Sequence, residues 1–80
     1  MNDAFIYILT VLKNHGGKLR DRELYENVKQ LLEQEGVDLS RSQFNKLLMV
    51  LEVRGFIKVD QIKKNTRMVY LARKQASQQA

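Results

Sequence analysis

The spacing of apolar residues changes at Gly55, and that change limits the fold more than any other feature of the chain. Before it, apolar side chains recur every three or four positions, the period of a helix; after it they alternate, the period of a strand. Phe5, Ile8, Leu9 and Leu12 stand at i, i+3, i+4 and i+7 and predict a helix over Asn2–His15. A second stripe, Leu24, Val28, Leu31 and Leu32, runs through Asp21–Glu35, with Glu23, Glu26, Lys29 and Glu33 largely opposite it. Phe44, Leu47, Leu48 and Leu51 form a third stripe, ending at Gly55. Beyond it, Phe56-Ile57-Lys58-Val59-Asp60 and Arg67-Met68-Val69-Tyr70-Leu71 have the branched and aromatic content of strands. Three helices followed by a two-stranded hairpin predict an α+β fold, and 80 residues suffice for one core.

Local signals divide the chain at the same places. Asn2 or Asp3 can cap the first helix, and His15-Gly16-Gly17 ends it. Lys18-Leu19-Arg20 reads as a short extended connector, and Gly36 stops the second helix. Ser40-Arg41-Ser42-Gln43 fits a capping box, in which serine and glutamine satisfy each other's free backbone amides. Between the strands, residues 61–66 read as a long basic tip, with Asn65 suited to a left-handed turn. A lone hairpin is marginal in water, so Ile57, Val59, Val69 and Leu71 are expected to face the helices. Residues 75–80 carry no apolar stripe and are expected to fray, leaving residues 1–74 as the domain.

Composition removes several function classes. Without cysteine there is no disulfide framework, cysteine-based zinc or iron–sulfur site, or thiol catalysis. His15 is the sole histidine and precedes a Gly-Gly turn, where a C-capping role explains it. Glu33 and Glu35 do not share a helix face, and Gly16-Gly17 lacks the G-x-x-x-x-G-K-[ST] pattern of a phosphate loop. The chain therefore reads as a non-enzyme without metal or cofactor. The longest apolar run, Ala4 to Leu9, has six residues, against roughly 20 for a membrane span. With no signal-peptide pattern, a cytoplasmic, nucleoid-associated protein is expected.

The order of elements resembles the winged helix-turn-helix family, of the small archaeal or bacterial transcription-regulator type. The resemblance covers roughly residues 3–73. His15-Gly16-Gly17-Lys18-Leu19 before Glu23-Leu24-Tyr25 is similar to that family's turn into the second helix. Leu48, Leu51 and Arg54-Gly55-Phe56-Ile57 resemble its passage from recognition helix to first wing strand, and Arg67-Met68-Val69-Tyr70-Leu71 its returning strand. The resemblance implies a third helix in the DNA major groove, a hairpin on the backbone or minor groove, and often a homodimer.

Charge points the same way independently. The formal net charge is +5, but it is unevenly spread. Asp21 to Glu35 has two basic and five acidic residues, a net of −3; Arg41 to Lys74 has nine basic and two acidic, a net of +7. Such segregation favours phosphate on one face, although a basic face can also simply be soluble.

With the third stripe buried, a step of about 100° per residue puts Ser42, Asn45, Lys46, Met49 and Val53 on the opposite side, flanked by Gln43 and Val50. Asn and Gln pair with adenine, Lys contacts guanine or phosphate, and an apolar side chain can meet a thymine methyl group. The expected base-reading set is Arg41, Ser42, Gln43, Asn45, Lys46 and Met49. Capping is the competing role for Arg41, Ser42 and Gln43. Lys58, Lys63, Lys64, Asn65, Thr66 and Arg67, on or near the hairpin tip, are expected to contact phosphates or the minor groove. Lysines there also discourage edge-to-edge strand pairing. Lys18, Arg20 and Arg22 are lesser candidates for backbone contact.

Ile6, Tyr7 and Val11 lie off the first helix's stripe. Either the fold wraps this helix on most sides, or these residues meet their copies in a two-fold dimer. The favoured expectation is a dimeric double-stranded DNA-binding regulator. The alternatives are a non-specific architectural binder, since Met49 and Val53 on the exposed face are poor base readers, and a protein-interaction module in which Met49, Val50 and Val53 meet an acidic partner surface.

Overall fold

All three helices close on the same backbone device, in which a carbonyl near the helix end accepts from the amide five residues on. Leu12 accepts from Gly17 at 2.8 Å, Leu32 from Val37 at 2.9 Å and Leu51 from Phe56 at 2.9 Å. The turn at the third helix shows why glycine stands there. Gly55 has φ +85°, a left-handed conformation that a Cβ disfavours, and its amide reaches the Glu52 carbonyl at 3.0 Å. The computed structural model describes residues 3–72. The expected frayed tail, Asn2 as a cap, and Arg73 and Lys74 of the basic segment lie outside them.

The elements are α1 Asp3–Asn14, β1 Lys18–Arg20, α2 Asp21–Glu33, α3 Arg41–Val53, β2 Ile57–Lys63 and β3 Thr66–Leu71. The expected capping box starts α3: Ser40 Oγ accepts from the Gln43 amide at 3.1 Å, and Gln43 Oε1 accepts from the Ser40 amide at 3.0 Å. Ser40→Ala removes one of these bonds and should cost about 1 kcal/mol. In a domain of this size that lowers the melting temperature by roughly 4–8 °C in a thermal scan.

The sheet has three strands rather than two. Lys18-Leu19-Arg20, expected as a connector, pairs antiparallel with β3, giving the order β1-β3-β2. Three residues show too little alternation to announce a strand, and the partner lies about fifty positions away. The hairpin also differs from expectation. Its strands continue to Lys63 and resume at Thr66, so Lys64-Asn65 alone make the turn and an irregularity between Gln61 and Lys63 absorbs the register.

Side chains alternate across this sheet. Leu19, Val69 and Val59 are in register on the face toward the helices, joined by Ile57 and Leu71. Lys18, Tyr70 and Lys58 form a row on the outer face, with Arg20, Met68 and Asp60 beside it.

The core joins Ile8, Val11 and Leu12 of α1 to Leu24, Val28 and Leu32 of α2, Phe44, Leu48 and Leu51 of α3, and Ile57 and Val69 of the sheet. Helix α1 packs against α2, α3, β1 and β3, so more of its circumference is covered than one stripe requires. Val11 is only 6% exposed, so the expectation that it belongs to a dimer patch is corrected. Phe5 and Leu9, expected in the central stripe, are half-buried at its edge. Tyr7 is half-buried too, and its hydroxyl donates to Glu35 beyond α2. That hydrogen bond to a carboxylate holds the phenol above its ordinary pKa.

Candidate nucleic-acid interface

The capping box fixes the first turn of α3 and therefore which side chains its free face presents. Ser42, Asn45, Lys46, Met49 and Val53 are exposed, three or four residues apart, as the helical period requires. Met49 is 63% and Val53 81% exposed, so the face mixes polar groups with apolar ones. Gln43 is engaged in the cap through its Oε1, the competing role weighed for it.

Arg41 and Arg67, expected to meet DNA directly, converge on one carboxylate oxygen. Arg41 Nη2 lies 2.7 Å from Asp21 Oδ2, while Arg67 Nε and Nη2 approach the same oxygen at 3.0 and 2.9 Å. The Asp21 side chain is 10% exposed, against 42% and 36% for the two arginines. Arg41 also stacks over the rings of Tyr25 and Phe44, at 5.2 and 5.6 Å from their centroids. Neither arginine is a free cation at the surface. The cluster they form with Asp21 carries one net positive charge.

Arg67 lies two residues before buried Val69, on the helix-facing side of β3, rather than at the hairpin tip. There its Nη2 donates to Asn45 Oδ1 at 3.2 Å. The wing and the exposed face of α3 are thereby joined side chain to side chain. Asp21 is the residue that sequence reading missed. It counted as one of five acids on an acidic helix, whereas its place as the first residue of α2 aims its carboxylate at both other elements.

The cations that remain outside any ion pair among the described residues include Lys46, Lys58, Lys63 and Lys64, all exposed. Lys63, Lys64 and Asn65 occupy the wing tip, where Gln61 Nε2 donates to the Lys64 carbonyl at 2.7 Å, and half-buried Thr66 follows. Lys58 does not join them. It stands five residues from Lys63, about 17 Å along a strand, opposite Tyr70 on the outer sheet face. Lys46 and Gln43 border a shallow groove that also has the carboxylates of Asp3, Glu35 and Asp38. Phosphate is thus favoured on the wing side of α3 and disfavoured on the side toward α1.

His15 Nδ1 lies 2.9 Å from the Val11 carbonyl, where a ring N–H caps the end of α1. Among the described residues, no group of three or more His, Cys, Asp or Glu is placed to hold a metal ion. None of their helices is long and apolar enough to cross a membrane.

No family model and no curated protein matches the chain. Among solved structures, it is similar to F93 from STIV, a winged-helix DNA-binding protein, with a TM-score of 0.73 at 20% identity, over 95% of this chain and 78% of that one. The likeness establishes the winged-helix fold: three helices, a three-stranded antiparallel sheet, and β2 and β3 as the wing.

Proposed function

We propose that the protein binds double-stranded DNA as a dimeric transcription regulator, with α3 in the major groove and the basic wing on the backbone or minor groove. The observation that carries this reading is the continuity of the α3 face with the wing. Asn45 touches Arg67, and Lys63 and Lys64 stand exposed at the end of the same hairpin. The fold shared with F93, itself a DNA-binding protein, supports it. Ser42, Asn45, Lys46 and Met49 are the base-reading set, with Arg41, Arg67 and Gln43 supporting them. Lys63, Lys64, Asn65 and Thr66 contact phosphates, and Lys58 reaches only flanking DNA.

The dimer is proposed through α1 with a smaller patch than the sequence implied. Ile6 is 58% exposed, beside half-buried Leu9 and at the opposite end of α1 from Lys13. Phe56, 40% exposed, lies with Leu9 and Leu71 along the adjoining groove. A two-fold contact there places two recognition helices on half-sites about 34 Å apart.

Selection from random duplexes, combined with a light-scattering mass, tests both parts. The expected result is one enriched two-fold motif and a mass near twice 9.4 kDa. Duplexes that are not retained even at low salt would refute DNA binding, and a monomeric mass would refute the dimer. Exposed Met49 and Val53 favour a second reading, non-specific architectural binding, for which the same selection enriches no motif.

A further inference from the structure

We propose that Asp21 is a positioning residue that sets base preference from outside the DNA contact, by holding Arg67 so that Arg67 orients the Asn45 amide. The inference rests on the DNA-binding reading above and deepens it.

A guanidinium has only hydrogen-bond donors, so the Asn45 atom that faces Arg67 must be its oxygen. The 3.2 Å contact between Arg67 Nη2 and Asn45 Oδ1 therefore fixes which way the amide is turned. The Nδ2 group is left to donate to a base acceptor, and one lone pair of Oδ1 remains for a base donor. This is the arrangement that adenine N7 and N6 require. Without a fixed partner, an exposed asparagine spends part of its time flipped, and the flipped form matches no purine in the same way.

Arg67 holds this position because two of its nitrogens lie within 3.0 Å of Asp21 Oδ2. The same oxygen takes Arg41, the first residue of α3, at 2.7 Å. One largely buried carboxylate thus ties the start of the recognition helix to the wing, from positions 20 and 46 residues apart in sequence. It also withholds two arginines from phosphate. Selectivity is gained at the expense of general DNA affinity.

That trade gives a signature that a merely structural residue does not have. Asp21→Asn keeps the shape of the side chain and removes its charge. Arg41 and Arg67 are then released toward phosphate, so affinity for a shuffled duplex rises and the salt slope steepens, by up to about 1.8 for two new contacts. Preference for the selected site over the shuffled one falls, on the order of tenfold, at the base pair that Asn45 reads.

The experiment measures wild type, Asp21→Asn, Arg67→Lys and Asn45→Ala on a duplex carrying the enriched site and on a shuffled duplex, across salt concentrations, with a thermal melt of each protein. Arg67→Lys keeps the charge but cannot span Asp21 and Asn45, and because Arg67 is partly exposed it is the variant that tests the chain of contacts should Asp21→Asn unfold. The expected result is loss of preference at one shared base pair in all three variants, and no further loss when Asp21→Asn or Arg67→Lys is combined with Asn45→Ala. Wild-type preference retained by Asp21→Asn or Arg67→Lys overturns the inference and leaves DNA binding intact. Weakening of Asp21→Asn on both duplexes by the same factor also overturns it, as does wild-type binding without any preferred sequence. Failure of the wild type to bind either duplex refutes the DNA-binding reading itself.

Discussion

Replacing Phe44 with alanine should destabilise the fold by about 3–5 kcal/mol, as the loss of a fully buried aromatic side chain does. An 80-residue domain has a total stability of about 4–12 kcal/mol, so this one change removes a large share of it. The size of the effect follows from position. Phe44 is completely buried on α3, and its ring meets that of Tyr25 edge-on at 5.2 Å between centroids. Tyr25 in turn donates from its hydroxyl to the Leu39 carbonyl at 2.9 Å, anchoring the connection between α2 and α3. The Arg41 guanidinium lies over both rings. One cavity therefore loosens the core, the helix–helix connection and the support of Arg41 together. Urea denaturation should show a lower midpoint with an unchanged slope; a loss below about 1 kcal/mol would mean that Phe44 is not the centre of the core.

The second large effect concerns binding. The double variant Lys63→Glu, Lys64→Glu should weaken duplex affinity on the order of a hundredfold at low salt. Each exposed charge near a phosphate contributes about 1 kcal/mol at roughly 4 Å in water. Reversal turns two such attractions into repulsions, and salt screening reduces the total. The loss should be similar for every sequence and narrow as salt rises, because phosphate contacts carry no base information. Both lysines are exposed at the hairpin turn, so stability should change by no more than about 0.5 kcal/mol. Unchanged affinity in a gel-shift or anisotropy titration would remove the wing tip from the interface.

What could be read from the sequence was local, and what could not was paired across distance. The glycine stops, the Ser40–Gln43 box and the helix stripes all lie within a few residues of themselves; the stops and the box are present as read, and the stripes are buried at their centres, with Phe5 and Leu9 displaced to the edge of the first. The row Leu19, Val69 and Val59 needs a strand from the far side of α2 and α3, so β1 stayed hidden as a connector. Val11 shows the same limit from another side. A single stripe describes a helix with one neighbour, and α1 has partners on several sides.

The interface was legible in outline and misassigned in detail for an electrostatic reason. Counting charges by segment placed the basic excess on α3 and the hairpin, where Lys46, Lys63 and Lys64 stand exposed. The count could not reveal that Asp21, on the acidic helix, neutralises part of it by engaging Arg41 and Arg67. Nor could it separate Lys58 from the tip, since neighbours along a strand belong to different ends and faces of a sheet. Asn45 was singled out as a base reader by its place on the helix, while its hydrogen bond to Arg67 required the fold.

The central claim is that duplex DNA is captured on the surface shared by α3 and the wing, with the wing lysines on phosphates, and a salt titration of wild-type binding to a labelled duplex tests it most directly. With Lys63 and Lys64 each contacting one phosphate, the logarithm of the association constant should fall linearly with the logarithm of salt concentration, with a slope of about −1.8 per protomer. Binding that is absent at the lowest salt, or that does not change with salt, would contradict the account.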